Sequence, residues 1–270
     1  AAVGRLEEAQ SDFSGAALAA DPATKVWLGY ITANQGDWAG ARAAFAAGAS
    51  VILVDADTYG ASIAQVLALL DEAPGVAAAA RAGDLGTLDL PALSRLAPEV
   101  LPRLRVLTGI PRPDRWPEIR AASFEEVLRL SKLLAEHVVV DCGFCLEDDE
   151  ELSYDTRAPR RNATTLITLE SAEQVVVVGS GDPVGLQRLV RASQDLGGIP
   201  SGRPLVVVNR VRASAVGADP QARIVEALGR FAGMEDLHLV PEDRETLDRL
   251  LLQGRVLAEG APRSPAREEI

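Results

Sequence analysis

Short runs of valine, leucine and isoleucine recur along the chain and constrain its fold more than any other feature. Seven such runs occur, and most are almost continuously apolar instead of alternating between apolar and polar residues. An uninterrupted apolar run is typical of a strand buried on both faces, as in a parallel sheet covered by helices. The runs occupy residues 26–31, 51–56, 104–109, 138–141, 174–179, 204–209 and 237–241.

Helical patterns separate these runs. Ser123 and Glu126 have the spacing of a capping box and are followed by apolar residues at helical intervals. Asp182 and Asp219 each precede a proline, which is the pattern of an N-cap followed by the first helical residue. Repeated strand–helix–strand units predict an α/β fold, with a doubly wound, mainly parallel sheet of about seven strands and helices on both faces.

The domain organisation and charge narrow the classes of function. Residues 1–24 are expected to form an N-terminal arm or linker, and residues 25–270 a single domain. The net charge is −12, with 39 acidic residues against 27 basic ones. Nucleic-acid binding relies on Lys and Arg that neutralise phosphates, so sequence-specific nucleic-acid binding is not expected. The sequence has no apolar run long enough to span a membrane, no signal peptide and no apolar face near its C-terminus. The chain is therefore predicted to be cytoplasmic and to carry no membrane anchor.

Acidic residues close two of the predicted strands. Asp55 and Asp57 follow the run in VILVDADTYG (51–60), and Asp141 closes the run in HVVVDCG (137–143). Ligands of parallel sheets bind beyond the carboxyl ends of the strands, and Mg²⁺ is often held there through one or two carboxylates. Turn formation is the alternative, because Asp also favours turns. Two such motifs on one edge favour a magnesium site.

Five segments in order carry a resemblance to a known family. Together they resemble the MinD/ParA group of deviant-Walker P-loop ATPases, and within it the actinobacterial proteins similar to CpaE and TadZ. The resemblance covers about residues 25–265. The segments are VILVDADTYG (51–60), HVVVDCG (137–143), QVVVVGSGDPVGLQRLV (174–190), PLVVVNRVR (204–212) and VPEDRETLDRLLLQGRVL (240–257).

This resemblance implies a P-loop NTPase-like fold that binds ATP or ADP together with Mg²⁺. It implies that Asp141 holds the magnesium shell with support from Asp55, and that Asp57 orients the attacking water as the catalytic residue. The residues that it implies around the base are Asn209, Arg210, Pro241 and Glu242.

The resemblance also implies a homodimer that works with protein partners of a localisation, secretion or partitioning system. An acidic stretch at 147–155, followed by Arg157, Arg160 and Arg161, lies beside the predicted site. In the family this region lies at the nucleotide-dependent dimer face. The segment is therefore either a solvated loop or a switch-like partner surface.

The phosphate loop departs from the family pattern. Residues 28–43 occupy its place, but the chain contains no Gly-Lys-Ser or Gly-Lys-Thr. Backbone N–H groups of a P-loop surround the phosphates while its lysine contacts the β and γ oxygens. Gly29 and Gly36 still permit a turn, but one lost charge-assisted contact costs about 1.5–3 kcal/mol. A pseudo-ATPase that binds nucleotide weakly or not at all is predicted, with an active Mg²⁺-dependent ATPase using an atypical phosphate loop as the alternative.

Cys142 and Cys145 form a Cys-x-x-Cys pair, which leaves a second alternative open. The spacing fits a redox dithiol or half of a zinc site. His137 begins the same strand and is too far from the pair for a Cys₂His₂ site. The acids at 147–155 oppose a low thiol pKa. The pair is interpreted as small turn residues after the strand, with a redox protein as the alternative.

Overall fold

An eight-stranded sheet forms the centre of the computed structural model. The structure describes residues 27–32, 49–69, 75–147, 159–197, 204–255 and 257–269. The strands are β1 Trp27–Thr32, β2 Val51–Ala56, β3 Glu99–Leu101, β4 Leu104–Leu107, β5 His137–Cys142, β6 Gln174–Ser180, β7 Leu205–Val211 and β8 Leu237–Pro241.

The strand order is β3-β4-β2-β5-β1-β6-β7-β8. Strands β2, β4, β5, β6, β7 and β8 run in one direction. Strand β1 lies between β5 and β6 and is antiparallel to both, and the edge strand β3 is antiparallel to β4. The predicted mainly parallel α/β sheet is confirmed, with β3 as an additional short strand. Residues 1–24, for which the sequence predicts an arm, lie outside the described residues.

Helices connect the strands. A 3₁₀ helix at Pro113–Glu118 precedes one of the longest α-helices. Within the described ranges, no helix combines the length and apolar character that a membrane span requires. The α-helices are α1 Ile63–Val66, α2 Gly75–Asp84, α3 Leu90–Leu96, α4 Ala121–Leu134, α5 Ala163–Ser171, α6 Pro183–Leu196, α7 Ala213–Val216, α8 Pro220–Ala232, α9 Arg244–Leu252, α10 Leu257–Gly260 and α11 Pro265–Glu268.

Two apolar cores lie on the two faces of the sheet. In β2, Ile52 and Val54 pack into one core, while Val51 and Leu53 pack into the other. Helices α2 to α6 and α8 contribute to the first core, and α1 and α9 to α11 contribute to the second. Because both faces are covered, every residue of β2 and β5 is buried. This explains why their sequences do not alternate between apolar and polar residues.

Two of the three predicted helix starts are confirmed, and the third is wrong. Asp182 and Asp219 are N-caps whose side chains accept backbone N–H groups of α6 and α8, as predicted. The predicted capping box is wrong, because α4 begins at Ala121 and places Ser123 inside its first turn. The Ser123 hydroxyl donates a hydrogen bond to Asp84 of α2 instead. A contact between two helices therefore replaces a local cap.

Candidate functional site

The strand-end carboxylates meet at one edge of the sheet. Asp55 of β2 and Asp141 of β5 are register partners on adjacent parallel strands. Asp57 follows β2, and its Oδ1 lies 3.2 Å from the position that a Cβ on Gly143 would occupy. All three carboxylates are buried, with Asp55 only 1% exposed and Asp141 8%. The structure thus brings together the three acids that the sequence predicts at this edge.

Asp55 holds the loop that follows its own strand. Its Oδ2 accepts hydrogen bonds from the backbone N–H groups of Ser62 at 3.0 Å and Ile63 at 3.1 Å. Its Oδ1 lies 3.4 Å from the backbone N–H of Asp57. The pKa of Asp55 is raised to about 7, mainly by burial and also by the charge of Asp57, while the backbone hydrogen bonds act in the opposite direction. These contacts favour a loop-anchoring role, while the metal-ligand role of Asp55 remains a prediction.

Asp57 is fixed by a tight turn. Its Oδ1 accepts the backbone N–H of Tyr59 at 2.7 Å, which is the geometry of an Asx turn. Thr165, at the start of α5, directs its hydroxyl to the carbonyl oxygen of Gly143 at 3.5 Å. The Asp57 carboxylate therefore lies beside the segment that follows Asp141, and its water-orienting role stays a prediction.

A cluster that sequence reasoning missed joins this turn to the segment after β5. The Tyr59 hydroxyl donates to Asn162 Oδ1 at 2.8 Å, and Asn162 Nδ2 donates to Cys145 Sγ at 3.3 Å and to the carbonyl oxygen of Glu147 at 2.8 Å. The Arg161 guanidinium stacks 3.8 Å above the Tyr59 ring centroid. The cluster fixes the walls of the carboxylate site. Tyr59 and Asn162 are 103 residues apart, so no local sequence pattern indicates their contact.

Both cysteines have structural contacts. Cys142 is buried in the core at the end of β5, and Cys145 accepts the hydrogen bond from Asn162. Both are free thiols. Burial, together with the hydrogen bond to Cys145, raises the pKa of Tyr59 to about 12. Packing therefore accounts for both cysteines, and none of these contacts supports the redox alternative.

The predicted base-binding residues also lie together at the carboxyl ends of their strands. Pro241 of β8 pairs with Val211 of β7, and the backbone N–H of Glu242 donates to the Val211 carbonyl oxygen at 3.1 Å. Asn209 Oδ1 accepts the backbone N–H of Arg210 at 2.8 Å. Arg210 has a φ of +61°, a strained conformation that is frequent at functional sites.

Arg212 links the two parts of this base segment. It donates to the Arg210 carbonyl oxygen at 3.0 Å and forms an ion pair with Glu242 at 3.4 Å. Sequence reasoning did not select Arg212. The contacts therefore place Asn209, Arg210, Pro241 and Glu242 at a single location.

One of the two glycines predicted in the phosphate loop lies inside a strand. Gly29 is inside β1, opposite Val140 of β5. Because β1 is antiparallel, its last residue, Thr32, pairs with His137 at the amino-terminal end of β5. Gly29 is therefore part of a strand and not of a turn at the carboxylate edge, which corrects its predicted placement. Gly36 lies outside the described residues.

The carboxylates fit only one kind of metal site. In the described ranges, no group of three or more His, Cys, Asp or Glu side chains is arranged to hold a metal ion. Mg²⁺ usually keeps several waters and binds through one or two carboxylates and substrate phosphates. Asp141 and Asp57 suit such a hydrated ion, whereas the oxygens of Asp55 already face backbone amides.

Comparison with solved structures identifies the fold. A ParA family ATPase from Chlorobium tepidum superposes with a TM-score of 0.66 at 17% identity, over 98% of this chain and 90% of that one. The chain has the fold of the MinD/ParA ATPases.

Two further structures agree with this identification. MinD from Aquifex aeolicus, solved in complex with MinC, gives a TM-score of 0.60 at 14% identity, over 98% of this chain and 86% of that one. MinD from Pyrococcus horikoshii, solved with Mg-ADP, gives 0.56 at 19% identity, over 82% and 80% of the two chains. No protein-family model matches the chain, and no curated protein matches it.

Proposed function

We propose that the chain is a MinD/ParA-like, CpaE/TadZ-like protein that binds nucleotide and positions or recruits other proteins. The observation that carries this proposal is the register pairing of Asp55 with Asp141, with Asp57 beside them, at the same end of the sheet as Asn209 and Glu242. This arrangement combines a place for Mg²⁺ with a place for a base. The Mg-ADP complex of the Pyrococcus horikoshii protein is consistent with such a ligand.

Each side chain then has a defined task. Asp141 would hold the magnesium shell, and Asp57 would orient water against the phosphates. Bound Mg²⁺ would supply the positive charge that neutralises phosphate oxygens. Asp55 fixes the turn that carries Asp57, through the backbone N–H groups of Ser62 and Ile63.

Hydrolysis is expected to be slow or absent. The chain has no Gly-Lys-Ser or Gly-Lys-Thr, so the lysine that pairs with the β and γ oxygens of a P-loop substrate is missing. Its loss lowers nucleotide affinity about ten- to a hundredfold. We therefore favour a pseudo-ATPase whose bound nucleotide controls assembly and is not turned over.

Dimerisation is the expected consequence of nucleotide binding. A cavity of about 780 Å³ lies between the segment after β5 and α6, beside the carboxylate site. Its lining includes the half-exposed Phe144 together with Glu147, Arg188 and Arg191. Apolar and charged groups side by side suit a polar, reversible interface with a second copy of the chain.

Sedimentation velocity with a non-hydrolysable ATP analogue and Mg²⁺ tests this proposal. The wild type should shift from monomer to dimer when the analogue is added, and Asp141→Asn should remain monomeric. Glu226→Gln, at an exposed site on α8 that does not line this cavity, provides a control that should dimerise like the wild type. The same sedimentation coefficient with and without the analogue would exclude a nucleotide-controlled dimer.

An active ATPase is the second candidate, because Asp57 is already held in a fixed turn. In that case, the protein should release phosphate in a Mg²⁺-dependent reaction that falls at least a hundredfold in Asp57→Ala. Equal phosphate release by the wild type and by Asp57→Ala would come from a contaminating activity. That result would favour the pseudo-ATPase over the active enzyme.

A further inference from the structure

Arg161 lies near the carboxylate site as a cation without an anionic partner. Among the residues that the structure describes, no carboxylate forms an ion pair with it, whereas Arg212 at the same edge of the sheet is paired with Glu242. Of its three guanidinium nitrogens, only Nη2 donates a hydrogen bond within these ranges, and Nε is buried without a partner. Nη1 is left to meet a ligand, and a guanidinium with unused donors suits an anion.

Three contacts fix Arg161 against the loop that carries Asp57. Its Nη2 donates to the carbonyl oxygen of Thr58 at 3.1 Å, and the Thr58 hydroxyl donates to the Arg161 carbonyl oxygen at 3.2 Å. Its guanidinium stacks on the Tyr59 ring. Atoms of Tyr59 and Asp57 lie 3.1 Å and 3.2 Å from the position that a Cβ on Gly143 would occupy. Arg161 is therefore stacked on the ring that borders the Asp57 carboxylate.

The lysines of the chain are placed differently. The sequence has only two, Lys25 and Lys132, and Lys25 lies outside the described residues. Lys132 Nζ lies 3.5 Å from the carbonyl oxygen of Ser171, which ends α5, whereas Arg161 precedes the start of that helix. The nine residues of α5 separate the two positions by about 13 Å at 1.5 Å per residue. Lys132 is therefore at the opposite edge of the sheet from the carboxylates.

We propose that Arg161 supplies the positive charge of the missing phosphate-loop lysine and donates from its guanidinium to the terminal phosphate of bound ATP. The inference rests on the proposed nucleotide-binding function and adds a residue that distinguishes ATP from ADP. The terminal phosphate is the expected one, because Asp57 is predicted to orient the water that attacks it. Hydrogen bonds between a guanidinium and a phosphate are charge-assisted and about twice as strong as neutral ones.

Calorimetric titrations of Mg-ATP and Mg-ADP into the wild type and variants of Arg161 test the proposal. The wild type should bind ATP at least tenfold more tightly than ADP, since one charge-assisted contact changes affinity about ten- to a hundredfold. Arg161→Gln should lose this preference while its ADP affinity stays within twofold of the wild type. Arg161→Lys keeps the charge and should recover part of the preference.

Arg230→Gln is the matched control. Arg230 also stacks on an aromatic ring, that of Phe231 at 5.4 Å, but it lies in the last turn of α8. Because α8 leads into the amino-terminal end of β8, this position is remote from the carboxylates. The variant should keep the wild-type ratio of ATP to ADP affinity.

The other outcomes contradict separate statements. Equal weakening of both nucleotides in Arg161→Gln would give Arg161 a purely structural role. An unchanged preference in that variant, or equal binding of ATP and ADP by the wild type, would show that Arg161 does not contact the terminal phosphate. A loss in Arg161→Lys as large as in Arg161→Gln would exclude its charge as the cause. If the wild type binds neither nucleotide at millimolar concentration, the proposed function itself fails. Arg161→Met, which keeps an unbranched stem beside Tyr59, should show the same loss of preference if Arg161→Gln does not fold.

Discussion

Gly109→Ala is expected to lower the free energy of unfolding by about 3 kcal/mol, the upper end of the range for overpacked sites. A Cβ at this position would lie 2.5 Å from the Cβ of Ala61 and 2.7 Å from the Cγ of Asp55. Neither group can retreat easily, because Asp55 is fixed by hydrogen bonds to the loop that carries Ala61. Urea unfolding of the wild type and the variant measures the difference.

Gly229→Ala is the matched control for this substitution. Gly229 lies inside α8, and the nearest atom to its added Cβ is 3.7 Å away. Alanine is favoured over glycine in a helix, so this variant should be about 0.5–1 kcal/mol more stable than the wild type. Equal stability of Gly109→Ala and the wild type would show that the loop after β2 does not pack against Gly109 as described.

Asp55→Asn is expected to change how stability depends on pH. Burial raises the pKa of Asp55 from 3.8 to about 7 in the folded chain, so between these values the folded state retains a proton that the unfolded state has lost. The stabilisation from this proton is fully present below pH 4 and disappears as the pH rises towards 7. The slope for one proton is at most about 1.4 kcal/mol per pH unit.

Urea unfolding in metal-free buffer between pH 4 and pH 8 tests this expectation. The stability of Asp55→Asn should increase relative to that of the wild type up to about pH 7, the pKa to which burial raises Asp55, and change little above it. Parallel profiles of the two proteins across the whole range would show that Asp55 does not carry the raised pKa.

Much of the fold follows from the sequence because parallel strands leave a clear pattern. The apolar runs at β2 and β5 are buried on both faces and are visible without any structure. Their parallel pairing places Asp55 beside Asp141, and the pairing of β7 with β8 places Asn209 near Glu242. The residues at the ends of these strands could therefore be predicted as neighbours, because the carboxyl ends of parallel strands lie at the same edge of the sheet.

Other features depend on contacts that no local pattern records. Strand β3 is only three residues long, and β1 is antiparallel to its neighbours β5 and β6. Ser123 fits a capping box in sequence but contacts Asp84 in the fold. The bond from Tyr59 to Asn162 spans 103 residues, so only the tertiary structure shows it.

Calorimetric titration of Mg-ATP and Mg-ADP into the wild type and Asp141→Asn tests the central claim that this edge of the sheet binds nucleotide. We expect saturable binding to the wild type, weakened at least tenfold in the variant because the magnesium shell loses its carboxylate. Equal dissociation constants for the two proteins would place any bound nucleotide elsewhere. Absence of binding to the wild type at millimolar nucleotide would contradict the claim outright.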